Sequence, residues 1–296
     1  MRRLTAGDGL LDAPIGEVPP FTGADVAGAR SVVTVLHHVA RFTYSGRVSR
    51  VTQRLIVVPR RRHGDQQRIA HRFRVLVDDA EHPVDLRTEV DRLGNTVMLT
   101  RVDAATSTLT YETRAVVSRV RDGGVPMPWA VGEETGALVE ADPELVAAAG
   151  SVCATAPLEA GVELMHLVAR EMHYRPGVTS VSTTAGQAWR LRAGVCQDLA
   201  HVLIAMCRCR GVAARYVSGH LLGEGASHAW VEVCDPATGR VLALDPTHDR
   251  PTDLRYLTTA VGREYRDVPP TLGTAWTSRG PGVLRIEKQL RVVRAR

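Results

Sequence analysis

Cys196 stands in the run Gly194-Val195-Cys196-Gln197-Asp198, where a predicted helix begins. A thiol in a first helical turn lies beside backbone N–H groups that have no intrahelical partner, and beside the positive end of the macrodipole. Both stabilise a thiolate and make the sulfur a nucleophile. The same N–H groups can donate to an oxyanion forming on an attacked carbonyl. Position alone favours the plainer reading, a free cysteine packed as a small hydrophobe. Cys153, Cys207, Cys209 and Cys234 are read in that way. Cys207-Arg208-Cys209 lacks zinc-knuckle spacing and has no second pair nearby, and five cysteines in a long chain do not suggest a disulfide framework.

A second segment changes the balance for Cys196. Ser227-His228-Ala229-Trp230-Val231-Glu232-Val233 and Val241-Leu242-Ala243-Leu244-Asp245-Pro246 flank the turn residues Asp235-Pro236-Ala237-Thr238-Gly239, so a hairpin is expected. A four-residue loop over 235–238 makes Cys234 face Gly239 and sets His228 directly opposite Asp245; a five-residue loop shifts this by one position. A carboxylate beside an imidazole fixes its tautomer, leaving the other ring nitrogen to hold the thiol proton. Other histidines fit less well. His201 lies five positions beyond Cys196, about 140° around an ideal helix. His166 and His173 are seven apart and do not share a helix face as metal ligands, while His37 and His38 face opposite sides of a strand. The expectation is a site with no metal and no cofactor.

The elements that must position these groups fall into two blocks. Residues 1–30, rich in Gly, Pro, Ala and Asp, read as an extended or disordered leader. Residues 31–125 form period-two strands, such as Ile69-His71-Phe73-Val75-Val77 and Leu109-Tyr111-Thr113-Ala115-Val117, and predict an antiparallel sandwich-like β domain. Gly123-Gly124, Pro126 and Pro128 mark a linker placed over 126–139. The core, 140–275, opens with helices: one announced by Asp142-Pro143-Glu144, one from Leu158 to Met172, and one from Gly194 to Arg210 that is apolar almost all round and stops at Gly211. Strands then follow at Ala214–Gly219, His228–Cys234 and Val241–Leu244, and residues 276–296 carry a final strand at Val283–Val293.

Charge and composition narrow the function classes. The net charge is +5 and nearly all of the basic residues are arginine, Lys288 being the single lysine. Only Arg60-Arg61-Arg62 forms a basic run, and aromatics at 4% offer few platforms for stacked bases, so no nucleic-acid partner is expected. No stretch approaches the roughly 20 apolar residues that span a bilayer. The charged start Met1-Arg2-Arg3-Leu4 is followed by Gly7, Asp8, Gly9 and Asp12 and not by an apolar region, so a cytoplasmic location without membrane attachment is expected.

With these residues in view, the sequence resembles the bacterial transglutaminase-like cysteine proteins. The likeness runs through Gly194-Val195-Cys196-Gln197-Asp198-Leu199-Ala200-His201, Arg215–Gly219, Ser227–Glu232, Leu244-Asp245-Pro246-Thr247 and Asp267-Val268-Pro269-Pro270. The first part resembles the N-terminal region that accompanies this core, through His38, Tyr44, Pro59-Arg60, Gln67 and Asp91–Asn95. The resemblance implies an α+β fold: a papain-like core, in which a central cysteine-bearing helix packs on an antiparallel sheet, plus the β domain. It implies a Cys–His–Asp triad at Cys196, His228 and Asp245. It also places Tyr174 where related enzymes carry an aromatic oxyanion donor, with Gln197 and Trp230 as further oxyanion or pocket candidates. His248 and Leu199 depart from the residues commoner there. The implied activity is acyl transfer through a thioester, acting on a peptide, a protein or a small amide or ester. Water as acceptor gives a protease or amidase, and an amine gives a transamidase. The alternative is a non-catalytic module that keeps the fold to bind peptides or scaffold partners. Oligomeric state is left open.

Overall fold

The computed structural model describes residues 8–12, 21–103, 106–121, 129, 136–277 and 279–296. Helices α1 (Asp8–Asp12) and α2 (Gly23–Ala27) precede seven strands. These are β1 (Ser31–Val58), β2 (Arg62–His63), β3 (Gln66–Val77), β4 (Ala80–Glu81), β5 (Asp85–Val90), β6 (Thr96–Val102) and β7 (Thr106–Val120). The core brings α3 (Pro143–Gly150), α4 (Pro157–Glu171), β8 (His173–Tyr174), α5 (Ala185–Leu191), β9 (Ala193–Gly194) and α6 (Cys196–Cys209). It continues with β10 (Ala213–Leu221), β11 (His228–Asp235), β12 (Arg240–Asp245), β13 (Arg250–Pro251) and β14 (Tyr256–Gly262). Strands β15 (Thr271–Thr277) and β16 (Val283–Ala295) close the chain.

The β domain is organised by β1. Its first half pairs with β7 and β16, its second half with β6 and β15. Inward residues of both halves share one core: Ala40, Val75, Val77, Leu109 and Tyr111 meet Val51, Leu55, Val57, Met98 and Val102. This is how one connected sheet of long antiparallel strands makes a sandwich-like domain, with inward side chains of β1, β3, β6 and β7 filling its core.

In the core, α6 is the central helix. Leu199, Ala200 and the unbroken run Val202–Cys207 are all at most 2% exposed, because α6 packs against α3, α4, α5, β10 and β11 together. Burying a Leu, Ile, Val or Met side chain is worth about 1.5–3 kcal/mol. The helix therefore holds its first turn, and the thiol on it, in a fixed place. Gly211, with φ at 68°, lets the chain turn back after the helix. The five-stranded sheet runs in the order β13-β12-β11-β10-β14.

The two blocks are joined by packing and by polar clamps. Ile56 and Val97 of the β domain lie in the same apolar core as α6. The edge strand β14 is met by side-chain amides. Gln66 donates to the Thr258 carbonyl at 2.7 Å and accepts from its N–H at 2.8 Å. Asn95 does the same for Val261 at 2.8 and 2.9 Å. Backbone groups that would template aggregation at an open edge are thus satisfied.

Parts of the expected leader are folded. Leu11 of α1 is buried against Val35 and Val116, and Val26 of α2 against Val32, Leu254 and Val292. Thr22 and Asp25 cap α2 reciprocally, a pattern that turns a polar, Gly-rich stretch into a helix start. The Gly/Pro run expected as a linker lies outside the described residues. At its end Ala137–Val139 form a 3₁₀ turn with Leu138 and Val139 buried, and the Leu138 N–H donates to Glu264 at 2.7 Å. Among the described residues, no helix is long and apolar enough to cross a membrane.

Candidate active site

Cys196 is the first residue of α6 and is partly exposed. Val195 precedes it in extended backbone, and its N–H donates to Asp198 Oδ2 at 2.8 Å. The Thr179 hydroxyl donates to the same oxygen at 2.6 Å. An acid in the third helical position thus ties down the helix start. Burial pushes the Asp198 carboxyl up, against the pull of those two hydrogen bonds. Gly194 has to be small: a Cβ there would stand 2.6 Å from that of Asp198. Gly194 also pairs with Tyr174 across the β8–β9 bridge, which brings the tyrosine beside the segment that leads into α6.

The hairpin forms, with a register different from the one expected. Asp235 pairs with Arg240 and Val231 with Leu244, so the four-residue loop is 236–239 and the pairing sums to 475 where 473 was expected (231 + 244 against 228 + 245). Asp235 joins the ladder because its side chain, accepting from Ala237 N–H and the Thr238 hydroxyl, closes the turn one step later. The slip is of two positions in the pair sum, an even number, so His228 and Asp245 stay on one face as diagonal neighbours.

His228 Nε2 lies 2.8 Å from Asp245 Oδ2. With that nitrogen engaged, Nδ1 is left for Cys196, whose hydrogen bond to the ring helps to set its charge. Burial alone would lower the imidazole pKa, but hydrogen bonds to Asp245 and Cys196 outweigh it and push it up to about 10. Asp245 is fully buried. Burial would raise its pKa; His228, Tyr256 and His248 overcome this and hold it near about 2. Its oxygens collect five donors: His228, the Tyr256 hydroxyl at 2.7 Å, His248 Nδ1 at 2.8 Å, and the backbone N–H groups of Thr247 and His248 at 2.9 and 3.4 Å. A buried carboxylate is tolerated only with this degree of satisfaction.

The other candidates separate. Tyr174 is 55% exposed, and burial, then the charges of Cys196 and Glu224, raise its pKa. The Gln197 amide donates to the Val181 carbonyl at 3.3 Å and so fastens the segment before α5. Trp230 is buried behind His228, stacked at 6.2 Å between centroids and edge-on to Tyr256 at 5.4 Å. It lines a cavity of about 650 Å³ shared with His63, Arg119 and Asp253, to which neither Cys196 nor His228 contributes. His201 is buried and uncharged, its pKa driven down to about 3 by burial and then by Arg208, and its Nε2 accepts from the Tyr265 N–H.

Three residues were missed as members of the site. Tyr256 gave no local signal. Glu224 sits in the β10–β11 loop with Oε2 3.3 Å from His228 Nδ1 and Oε1 3.4 Å from His248 Nε2. His248 did carry a signal, as an unusual residue three positions after Asp245.

Comparison with known proteins agrees with this architecture. The model of the transglutaminase-like superfamily matches residues 146–246, and that of the bacterial transglutaminase-like N-terminal region matches 35–118. Uncharacterized proteins of Mycobacterium bovis and Mycobacterium tuberculosis are each 32% identical over 286 residues, covering 84% of this chain and 89% of theirs. The crystal structure of "a Putative Cysteine Protease from Cytophaga hutchinsonii" superposes with a TM-score of 0.65 at 18% identity, over 90% of this chain and 92% of that one. The chain, with its helix-borne cysteine, its antiparallel core sheet and its β domain, belongs to the transglutaminase-like superfamily.

Proposed function

We propose that the protein is a cysteine-dependent acyl-transfer enzyme acting on amide or ester bonds, with Cys196 as nucleophile, His228 as acid and base, and Asp245 as the group that orients and charges His228. The observation that carries this reading is the line from the α6 first turn through His228 to a fully buried Asp245. An imidazolium beside a helix-start thiol favours the thiolate.

In this mechanism Cys196 Sγ adds to the carbonyl carbon, and the carbonyl electron pair moves to oxygen, which in this reading accepts from α6 N–H groups and the Tyr174 hydroxyl. His228 Nδ1 gives its proton to the leaving nitrogen or oxygen as the carbon–heteroatom bond breaks, leaving a thioester. The ring then takes a proton from water or an amine, which attacks the thioester and expels the thiolate. Throughout, Asp245 keeps Nε2 protonated and balances the ring's charge.

Incubating the protein with a peptide library, with and without added amine, and reading products by mass spectrometry tests the reading. Cleavage or deamidation marks water as acceptor, and mass gain from the amine marks transamidation. A thiol-reactive amide or ester probe that labels the native protein, but neither Cys196→Ala nor His228→Ala, completes the case. Absence of both products and labelling across pH would sink it.

A further inference from the structure

His38 is a buried polar side chain that the fold has not paired. It is 2% exposed on β1, and among the described residues neither of its ring nitrogens has a hydrogen-bond partner. Lys288, the single lysine, stands directly opposite it on β16, so the two side chains share one face of the sheet. His220 of β10 is buried as well. These three line one cavity together with Ser218, Ser227 and Thr259, and the Thr259 hydroxyl is likewise buried without a partner. Among the described residues no carboxylate lines this cavity.

We propose that this cavity binds one monoatomic anion, chloride, held by Lys288, His38 and His220 where the β domain meets the core. Buried polar groups in folded proteins nearly always have partners, so the unpaired His38 ring and Thr259 hydroxyl call for one. The ionisable groups that line the cavity all push one another towards fewer protons. Burial, then Lys288, pulls His38 down to about 3. Burial, then Lys288 and His38, holds His220 well below the usual histidine range. Burial pulls Lys288 down to about 8, against the opposing pull of Cys196. At neutral pH the two rings are therefore uncharged N–H donors beside one ammonium, a set that matches a single negative charge. A water satisfies hydrogen bonds but leaves the ammonium without a counter-charge. Size selects further. The cavity measures about 10 Å³, on the scale of one water-sized sphere, which excludes sulfate and phosphate. The flexible stem of Lys288 lets it widen for a halide.

The anion fastens the two blocks to each other. His38 and Lys288 belong to strands of the β domain, while Ser218, His220 and Thr259 belong to the core sheet. Ser227 immediately precedes His228, and Gly219, also in the lining, pairs with His228 across β10 and β11. Binding here stiffens the strand ends that carry His228. The site stands on its own lining and does not rest on the acyl-transfer reading.

Sodium chloride and sodium bromide are the probes. Thermal midpoints of the native chain are measured while chloride replaces gluconate at constant ionic strength. The midpoint is expected to rise and saturate, by roughly 3–6 °C at a tenfold excess over Kd. Crystals of the native chain soaked in bromide are expected to show an anomalous-scattering peak within hydrogen-bond reach of Lys288 Nζ and the His38 ring. Lys288→Met keeps the stem and removes the charge, and its midpoint should no longer respond to chloride. No saturable rise, an equal rise in Lys288→Met, or a water at the site with no anomalous peak at saturating bromide would overturn the proposal. The bromide experiment uses the native chain and so decides the matter should the variant not fold.

Discussion

Replacing Asp245 with asparagine tests the proposed chemistry where it is most exposed to refutation. Asp245 accepts five hydrogen bonds and donates none, while an asparagine of the same shape must turn an NH2 towards one set of donors. Facing the backbone N–H groups of Thr247 and His248, which cannot accept, the NH2 would clash. It will therefore face His228, Tyr256 and His248. His228 then has to accept at Nε2, so its proton moves to Nδ1, against Cys196, and the base is lost. The imidazole stands near about 10 against an ordinary 6.5, a difference of roughly 5 kcal/mol between its protonation states. If about half comes from Asp245, its loss weakens the charged form by on the order of 2 kcal/mol, some 30-fold. Adding the inverted tautomer brings the fall in acylation to about 10³–10⁴-fold, the scale seen when a triad carboxylate becomes an amide. The assay is single-turnover labelling by an acyl probe, with circular dichroism to show that the fold persists. A folded Asp245→Asn protein that acylates within threefold of the native rate would refute the role given to Asp245, and with it the charged imidazole.

Further outcomes can be checked independently. Glu232, buried between Arg215 at 2.7 Å and His63 at 2.6 Å, ties the core to the β domain. Glu232→Gln is expected to cost about 3–5 kcal/mol and lower the thermal midpoint by roughly 10 °C, and an unchanged midpoint would contradict the clamp. Burial would raise the Glu232 pKa, but His63 and Arg215 hold it well below 4.5. The folded chain thus binds fewer protons than the unfolded one, so this stability is complete above pH 4.5 and lost as pH falls, and the variant should show a flatter acid limb in pH-dependent denaturation. Tyr174→Phe should lower kcat by about 100-fold with little change in KM; a fall below twofold would take Tyr174 out of the oxyanion site. In Gly219→Ala the methyl would collide with the Leu257 carbonyl and the Trp230 ring. It should cost about 1–3 kcal/mol and slow acylation by shifting the support behind His228, as seen in melting curves and probe labelling.

Much of the site was legible along the chain because its signals are local. The apolar run of α6, its stop at Gly211 and the cysteine at its start are properties of adjacent residues. The pairing of His228 with Asp245 survived an error in register because side chains alternate along strands, so an even slip keeps both on one face. Sequence alone could not reveal what unites His248, Tyr256 and Glu224 around that pair. They come from the turn after β12, the start of β14 and the β10–β11 loop, and no period relates one to another. Nor could it show that β15 and β16 return to flank β1, or that Gln66 and Asn95 close the edge of β14. Propensity and patterning report which neighbours along the chain share a face. Which distant faces meet is decided by the burial of apolar surface and the satisfaction of every polar group enclosed with it, quantities that exist only once the whole chain has packed.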